Sequence, residues 1–339
     1  MPLLRVLLFA APLLGAVALA TAEARSSSTC PTAAPGDRPP AVAGRSIRAV
    51  YAVASDGADR RAEVAPRIAA DVKEIGEWWR SQDPSREPRF DLWRSPCGVV
   101  PDIGFVRLPE TTAELRPTPG RSVRLSEAVL RRSDWSPFRK YLVYYDGPVD
   151  PPYCGRTEGE PDGAAVAIVF PAACPSVPTA VVAAHELAHA LGGAAQDGPP
   201  HECASSEFHV CDSTSDILYP AVPRSPLETM TLDAGRDDYY GHAGGWLDVW
   251  DSRWLRTIDR QVHVTVTVEG DGLVVTDIPG LACTRRCTTS WDRSTFVVFR
   301  VRPAPGRRFL GWRGACNGKR VCGISVDRPT RLRARFGPA

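Results

Sequence analysis

The chain has almost no excess charge of either sign: 41 Lys and Arg stand against 39 Asp and Glu, a net +2 over 339 residues. That balance gives no electrostatic reason to expect a nucleic acid or a charged membrane surface as partner. A second long apolar run is also missing. After the first residues nothing approaches the ~20 apolar residues that a membrane-crossing helix needs, so no membrane span is expected in the mature chain. No paired-carboxylate signature is visible of the kind that polysaccharide hydrolases place around a glycosidic bond. Apolar residues are not scarce, at 43% of the chain, so disorder is expected only in short pieces.

What is present starts with "MPLLRVLLFAAPLLGAVALATAEA". One early cation, Arg5, precedes an apolar stretch, and A-x-A cleavage candidates lie between Ala18 and Ala24. Residues 1–24 therefore read as a secretory signal peptide, and the mature protein is expected to be exported. All ten Cys follow that segment, an even number suited to disulfides in an oxidising compartment. Their spacing suggests local bridges Cys203–Cys211, Cys283–Cys287, Cys316–Cys322 and Cys154–Cys174, leaving Cys30 for Cys97. Residues 25–44 are rich in Pro, Ser and Ala and read as an extended lead-in.

Periodicity organises the rest. "RAVYAVAS" (48–55) alternates as a strand does and ends at Asp56-Gly57, a turn signal. The next segment places Ala65, Ile68, Val72, Ile75 and Trp79 at helical spacing, with Pro66 suited to its first turn. Strand-like runs follow at 103–109, 140–147 and 164–171, with a short helix expected near "LSEAVLRRS". Strand, long helix, strands and a further helix predict an α/β (α+β) domain over residues 45–258, in which a mixed sheet packs on the helices. Trp246, Trp250 and Trp254 recur every fourth residue and predict a helix with a core-facing aromatic stripe. From about residue 260 the pattern changes: Val262, Val264, Val266 and Val268 alternate, and further strand runs alternate with Gly and Pro turns. Residues 262–337 read as a small all-β domain.

"PTAVVAAHELAHALGG" carries the chemistry. It is made of helix formers and ends in Gly192-Gly193. At 3.6 residues per turn, His185 and His189 project from one face, where both imidazoles can hold one ion. Glu186, beside the first of them, can take a proton from an activated water and deliver it to a leaving amine. A catalytic zinc needs a third protein ligand. The residues leave His201, His209, Asp197 and Asp237 or Asp238 open, and a Cys203–Cys211 bridge would hold both downstream histidines in one compact loop. Asp233, Asp237 and Asp238 have other roles to fill as well: capping a helix, pairing with Arg236, or holding a structural calcium.

"HELAHALGG" followed by "DILYP" resembles the metzincin clan of zinc endopeptidases, especially its matrixin-like and snapalysin-like members. The resemblance implies a zincin-like catalytic domain with a twisted mixed sheet and an active-site helix. It also implies a substrate that lies antiparallel to an edge strand, and a turn under the metal at Leu218-Tyr219. The clan has Met in that turn where this chain has Leu218, and the position at which it has a third His is Ala195. Carried over, the resemblance implies Zn2+ held by His185, His189 and His201, with Glu186 as general base. "GRDDYYG" is loosely similar to the signature of aspartate-ligated zincins, which would make Asp238 the third ligand and a Tyr the oxyanion donor. "GLACTRRC" with "FLGWRGACNGKRVCGISVDRPTRLRARF" resembles the divergent InlB-B-type repeat, a β-grasp-like module. Such a module would contact cell wall or another protein, or space the enzyme.

The expectation is thus a secreted zinc metalloendopeptidase acting on protein or peptide, with Tyr219, Tyr239 or a spare His steadying the oxyanion. The alternative is a surface adhesion protein whose zincin fold has lost turnover. A purely structural zinc site would have no use for Glu186.

Overall fold

The computed structural model describes residues 42–95, 98–115, 122–131, 135–148, 153–195 and 198–339. The expected signal peptide, most of the lead-in, the Cys30–Cys97 pairing and Asp197 as a ligand all fall outside those residues. Within them the chain is mixed α/β, with more strand than helix and several separate sheets.

The five-stranded sheet holds β1 (Ser46–Val53), β2 (Gly104–Arg107), β3 (Arg139–Tyr145), β4 (Gly155–Gly159) and β5 (Ala165–Val169), in the order β2-β1-β3-β5-β4. The first three pairings are parallel and β4 alone runs antiparallel, against β5. Every residue of β1, β3 and β5 is buried, as a sheet covered on both faces requires. One face packs on α1 (Arg61–Gln82) and α3 (Thr179–Leu191). The other packs on α2 (Ser122–Leu130) and the short turn at Thr112–Leu115.

The α1 stripe is the expected one, widened by Trp78. Each large apolar side chain it buries is worth ~1.5–3 kcal/mol. Both indoles are also tied to the later chain: Trp78 Nε1 donates to the Met230 carbonyl at 2.9 Å and Trp79 Nε1 to the Tyr240 hydroxyl at 3.3 Å.

The tryptophan-rich segment departs from expectation. Trp246, Trp250 and Trp254 do not lie on an α-helix; only a 3-10 turn forms, Val249–Asp251, started by Asp248, whose carboxylate accepts from the Trp250 N–H. Adjacent glycines at 244 and 245 have no side chains to bury, and they weaken a helix there. Trp254 is buried, whereas Trp246 and Trp250 are half-buried.

Residues 261–339 are all β. One four-stranded sheet runs β11-β8-β15-β13, formed by Arg286–Asp292, Gln261–Glu269, Thr330–Pro338 and Arg307–Gly314. The other runs β10-β9-β12-β14, formed by Ala282–Cys283, Gly272–Thr276, Thr295–Pro303 and Cys322–Val326. Val262, Val264, Val266 and Val268 point into one apolar cluster that both sheets share, with no helix in it.

The four local disulfides are those the spacing suggested: Cys154–Cys174, Cys203–Cys211, Cys283–Cys287 and Cys316–Cys322. Four bridges fit an extracellular protein. No described helix is long and apolar enough to cross a membrane.

Candidate metal centre

Helix α3 is buried on nearly every side, which an Ala-rich sequence tolerates because small side chains let neighbouring elements approach closely. It stops at Gly192, whose left-handed backbone (φ 107°) lets its N–H close on the carbonyls of Ala188 and His189. A Cβ there would collide with Leu247, 2.1 Å away.

His185 and His189 face one another across one turn, their Nε2 atoms 3.2 Å apart. His185 is fixed from behind: its Nδ1 donates to the Ile217 carbonyl at 2.6 Å. His189 is hydrogen-bonded to the Gly193 backbone. The third imidazole in this group is His209, whose ring centroid lies 5.3 Å from that of His185 and 4.9 Å from that of His189. One ligand nitrogen from each of the three lies within 4.8 Å of the others. His209 Nδ1 donates to the Glu207 carbonyl at 2.9 Å.

A local irregularity aims His209. The hairpin of β6 (Glu202–Cys203) and β7 (Ser206–Val210) slips register between Ser206 and Val210. Phe208 sits there at φ 66°, so the residues between the two pairings bulge out of the ladder. Cys203–Cys211 closes the loop, and Val210 N–H donates to the Leu218 carbonyl at 3.1 Å.

His201, the third ligand the resemblance implied, is not in this group. Its backbone N–H and its Nδ1 both bond to the Asp238 carboxylate, at 2.9 and 3.1 Å. It belongs to a second group with Asp212, Asp237 and Asp238. The side chain is 43% exposed and the carboxylate beside it raises its pKa. Asp238 is therefore taken up by His201 and not brought to the three imidazoles.

The rest of "GRDDYYG", with Asp233 just before it, is scaffolding. Asp233 accepts from four successive backbone N–H groups, Asp237 to Tyr240, but no helix starts there. Arg236 pairs with none of the three aspartates: it donates to the Gln82 carbonyl at 2.6 Å and covers the Tyr240 ring. Tyr239 is fully buried. Its hydroxyl donates to Asp216 at 2.8 Å and accepts from Asp233 N–H at 2.9 Å, which corrects its expected role as an oxyanion donor. Tyr219 is half-buried.

The turn at Asp216–Tyr219 lies under the histidines. Asp216 is buried, pushed up to about 6 by that burial, and receives the Leu218 N–H at 2.7 Å. Leu218 is fully buried, and a Cβ at Gly193 would touch its Cδ1 at 2.6 Å.

Glu186 points from α3 toward β4. Its Oε2 accepts from Thr157 Oγ1 at 2.8 Å. Gly155 lies against it so closely that a Cβ would sit 2.6 Å from its Cγ and Oε1. Burial raises its pKa to about 8, with Thr157 and the Arg156 charge pulling the other way. Thr157 and Gly155 were not anticipated from the sequence. The only local signal was a glycine opening a strand, which can mark close approach by another group.

The donor set suits a cation. Burial lowers the pKa of His185 to about 4 and lowers those of His189 and His209 as well, which favours the neutral imidazole, the form that binds metals. With Nδ1 of His185 protonated toward Ile217, its Nε2 lone pair faces the His189 nitrogen in a buried space, an arrangement that a positive ion relieves. No protein-family model matches the chain, and no curated protein matches it.

Proposed function

We propose that the chain is a secreted zinc endopeptidase of metzincin-like build, with His185, His189 and His209 holding the metal and Glu186 as general base. The observation that carries this reading is the convergence of the three imidazoles of His185, His189 and His209 beside one buried carboxyl that none of them uses. When bound, zinc supplies Lewis-acid activation of a carbonyl and of water. Glu186 Oε1 takes the proton of the attacking water and returns it to the leaving amine, while Thr157 Oγ1 holds Oε2 and keeps the carboxyl aimed. Strand β4 pairs only with β5 among the described strands. Its other edge offers N–H and C=O groups to an extended peptide, which would add as a further strand beside Glu186. The proposal replaces His201 by His209 in the ligand set. The InlB-B-like reading of residues 262–337 stays a resemblance carried by the "FLGWRGAC" motif.

The test is zinc content and cleavage of casein or a quenched peptide by the purified protein and three variants. His209→Ala should lose zinc and activity, His201→Ala should keep zinc, and Glu186→Ala should keep zinc but lose cleavage. A wild type that holds zinc, cleaves no tested peptide and behaves like Glu186→Ala would favour the adhesion alternative and end the enzyme reading.

A further inference from the structure

The near-neutral charge of the whole chain hides a division. Residues 261–339 hold fourteen Lys and Arg but five Asp and Glu, a net of +9. Since the chain totals +2, the residues before them sum to −7. We infer that the outer face of the β11-β8-β15-β13 sheet is a binding surface for an anionic polysaccharide.

The register makes the face concrete. Arg286, Thr267, Arg333 and Arg313 stand directly opposite one another across the four strands, in one row. Along β15, Arg331, Arg333 and Arg335 are exposed and alternate with buried Leu332, Ala334 and Phe336. Neighbouring strands are ~4.8 Å apart and same-face residues ~6.7 Å apart along a strand, so the arginines form a flat cationic lattice. Arg313 opposite Arg333 is a like-charge cross-strand pair, which costs stability in the free protein. One acid, Glu269, serves both Arg333 and Arg335. Arg286, Arg313 and Arg331 have no acidic partner among the described residues.

Charged residues often guard exposed sheet edges against aggregation. That accounts for Arg313 and Arg286, on edge strands β13 and β11. It does not account for Arg331, Arg333 and Arg335, because β15 is an interior strand with β8 and β13 on its two sides.

Charge complementarity calls for a polyanion, and the rest of the face narrows the class. Hydroxyl side chains interleave with the arginines, with Thr265 and Thr288 hydrogen-bonded at 3.0 Å in the next row. Arginine forks for anionic groups beside hydroxyls for sugar hydroxyls match an acidic glycan. The face exposes no Phe, Tyr or Trp ring on which a base could stack, and its one exposed imidazole, His263, is hydrogen-bonded to Ser290 at 2.9 Å; a four-stranded sheet face does not enter a duplex groove. A membrane would need several apolar side chains to insert; this sheet exposes one large one among the described residues, Leu310 on β13, while Phe296 and Val321 belong to or adjoin the other sheet.

The surface is independent of the proteolytic reading and is tested on the full chain by binding alone. Fluorescently labelled heparin decasaccharide is titrated with wild type, with Arg331→Gln/Arg333→Gln, and with Arg300→Gln/Arg302→Gln, which removes equal charge from the other sheet. The first pair should raise Kd at least tenfold and flatten the dependence of log K on log salt by about 1.4, at ~0.7 for each of the two neutralised charges lost on a flexible polyanion. The second pair should change Kd less than threefold. Thermal unfolding of all three proteins checks that each is folded. Equal loss in both pairs, absence of heparin binding at 50 mM salt, or tighter binding to single-stranded DNA or phosphatidylserine vesicles than to heparin would each overturn the proposal.

Discussion

Glu186 can be tested without any substrate. In the metal-free protein burial raises its pKa from 4.5 to about 8. The folded protein therefore keeps a proton that the unfolded chain releases above about 4.5. The stability from this group is fully present below that pH and is lost as pH rises toward 8. At 1.36 kcal/mol per unit the whole window is worth about 5 kcal/mol, of which about 3.5 falls between pH 5 and 8. Other groups titrate there with the opposite sign: His185, lowered to about 4, adds stability as pH rises through its window. The quantity to measure is thus the difference between Glu186→Gln and wild type, which cancels them. Urea denaturation of chelator-treated proteins should show the variant gaining on wild type by about 3–4 kcal/mol from pH 5 to pH 8. Added zinc should collapse that gap, because a nearby cation favours the ionised carboxylate. A gap that stays constant with pH would refute the placement of Glu186 as a desolvated carboxyl.

Three further changes probe its surroundings. Gly155→Ala drives a Cβ to within 2.6 Å of the Glu186 side chain. It should cut kcat about 10- to 100-fold through misplacement of the base, with zinc content by atomic absorption unchanged. Replacing Cys203 and Cys211 by Ser opens a loop of sequence separation 8, worth about 2.5 kcal/mol on the chain-entropy scale. Zinc affinity by competition titration should fall with it, since the bulge that aims His209 lies within that loop. Arg89 donates to the carbonyls of Arg45, Arg253 and Leu255 and pairs with Asp292 of β11. Arg89→Ala leaves a largely buried carboxylate without that partner and should cost about 3–5 kcal/mol in urea unfolding; a loss under 1 kcal/mol would mean that residues 261–339 are not anchored through this pair.

The parts of the fold legible in the sequence are those set by local periodicity. Alternation found β1 and the valine strand, continuous apolar runs marked β3 and β5, and helical spacing found α1 and the His185–His189 pair, because each of these signals lies within one element. The third imidazole was not legible in that way. His201 stands two residues before the Cys203–Cys211 loop and His209 inside it, and spacing alone favours the nearer one. Two tertiary facts decide between them: Asp238, 37 residues on, captures His201, and a bulge with Phe208 at positive φ turns His209 inward. Every-fourth-residue tryptophans failed for a related reason: an aromatic period implies a helix only if the intervening residues support one, and Gly244-Gly245 do not. The whole-chain charge averages two unlike parts. A net +2 is a fair description of neither part of the chain, because the basic arginines sit on sheets that pack around their own apolar cluster, apart from the core under α1 and α3. A field acts over a Debye length of roughly 8 Å at physiological salt. A ligand approaching β15 therefore meets the arginines of that face, not the carboxylates that cancel them in the whole-chain sum.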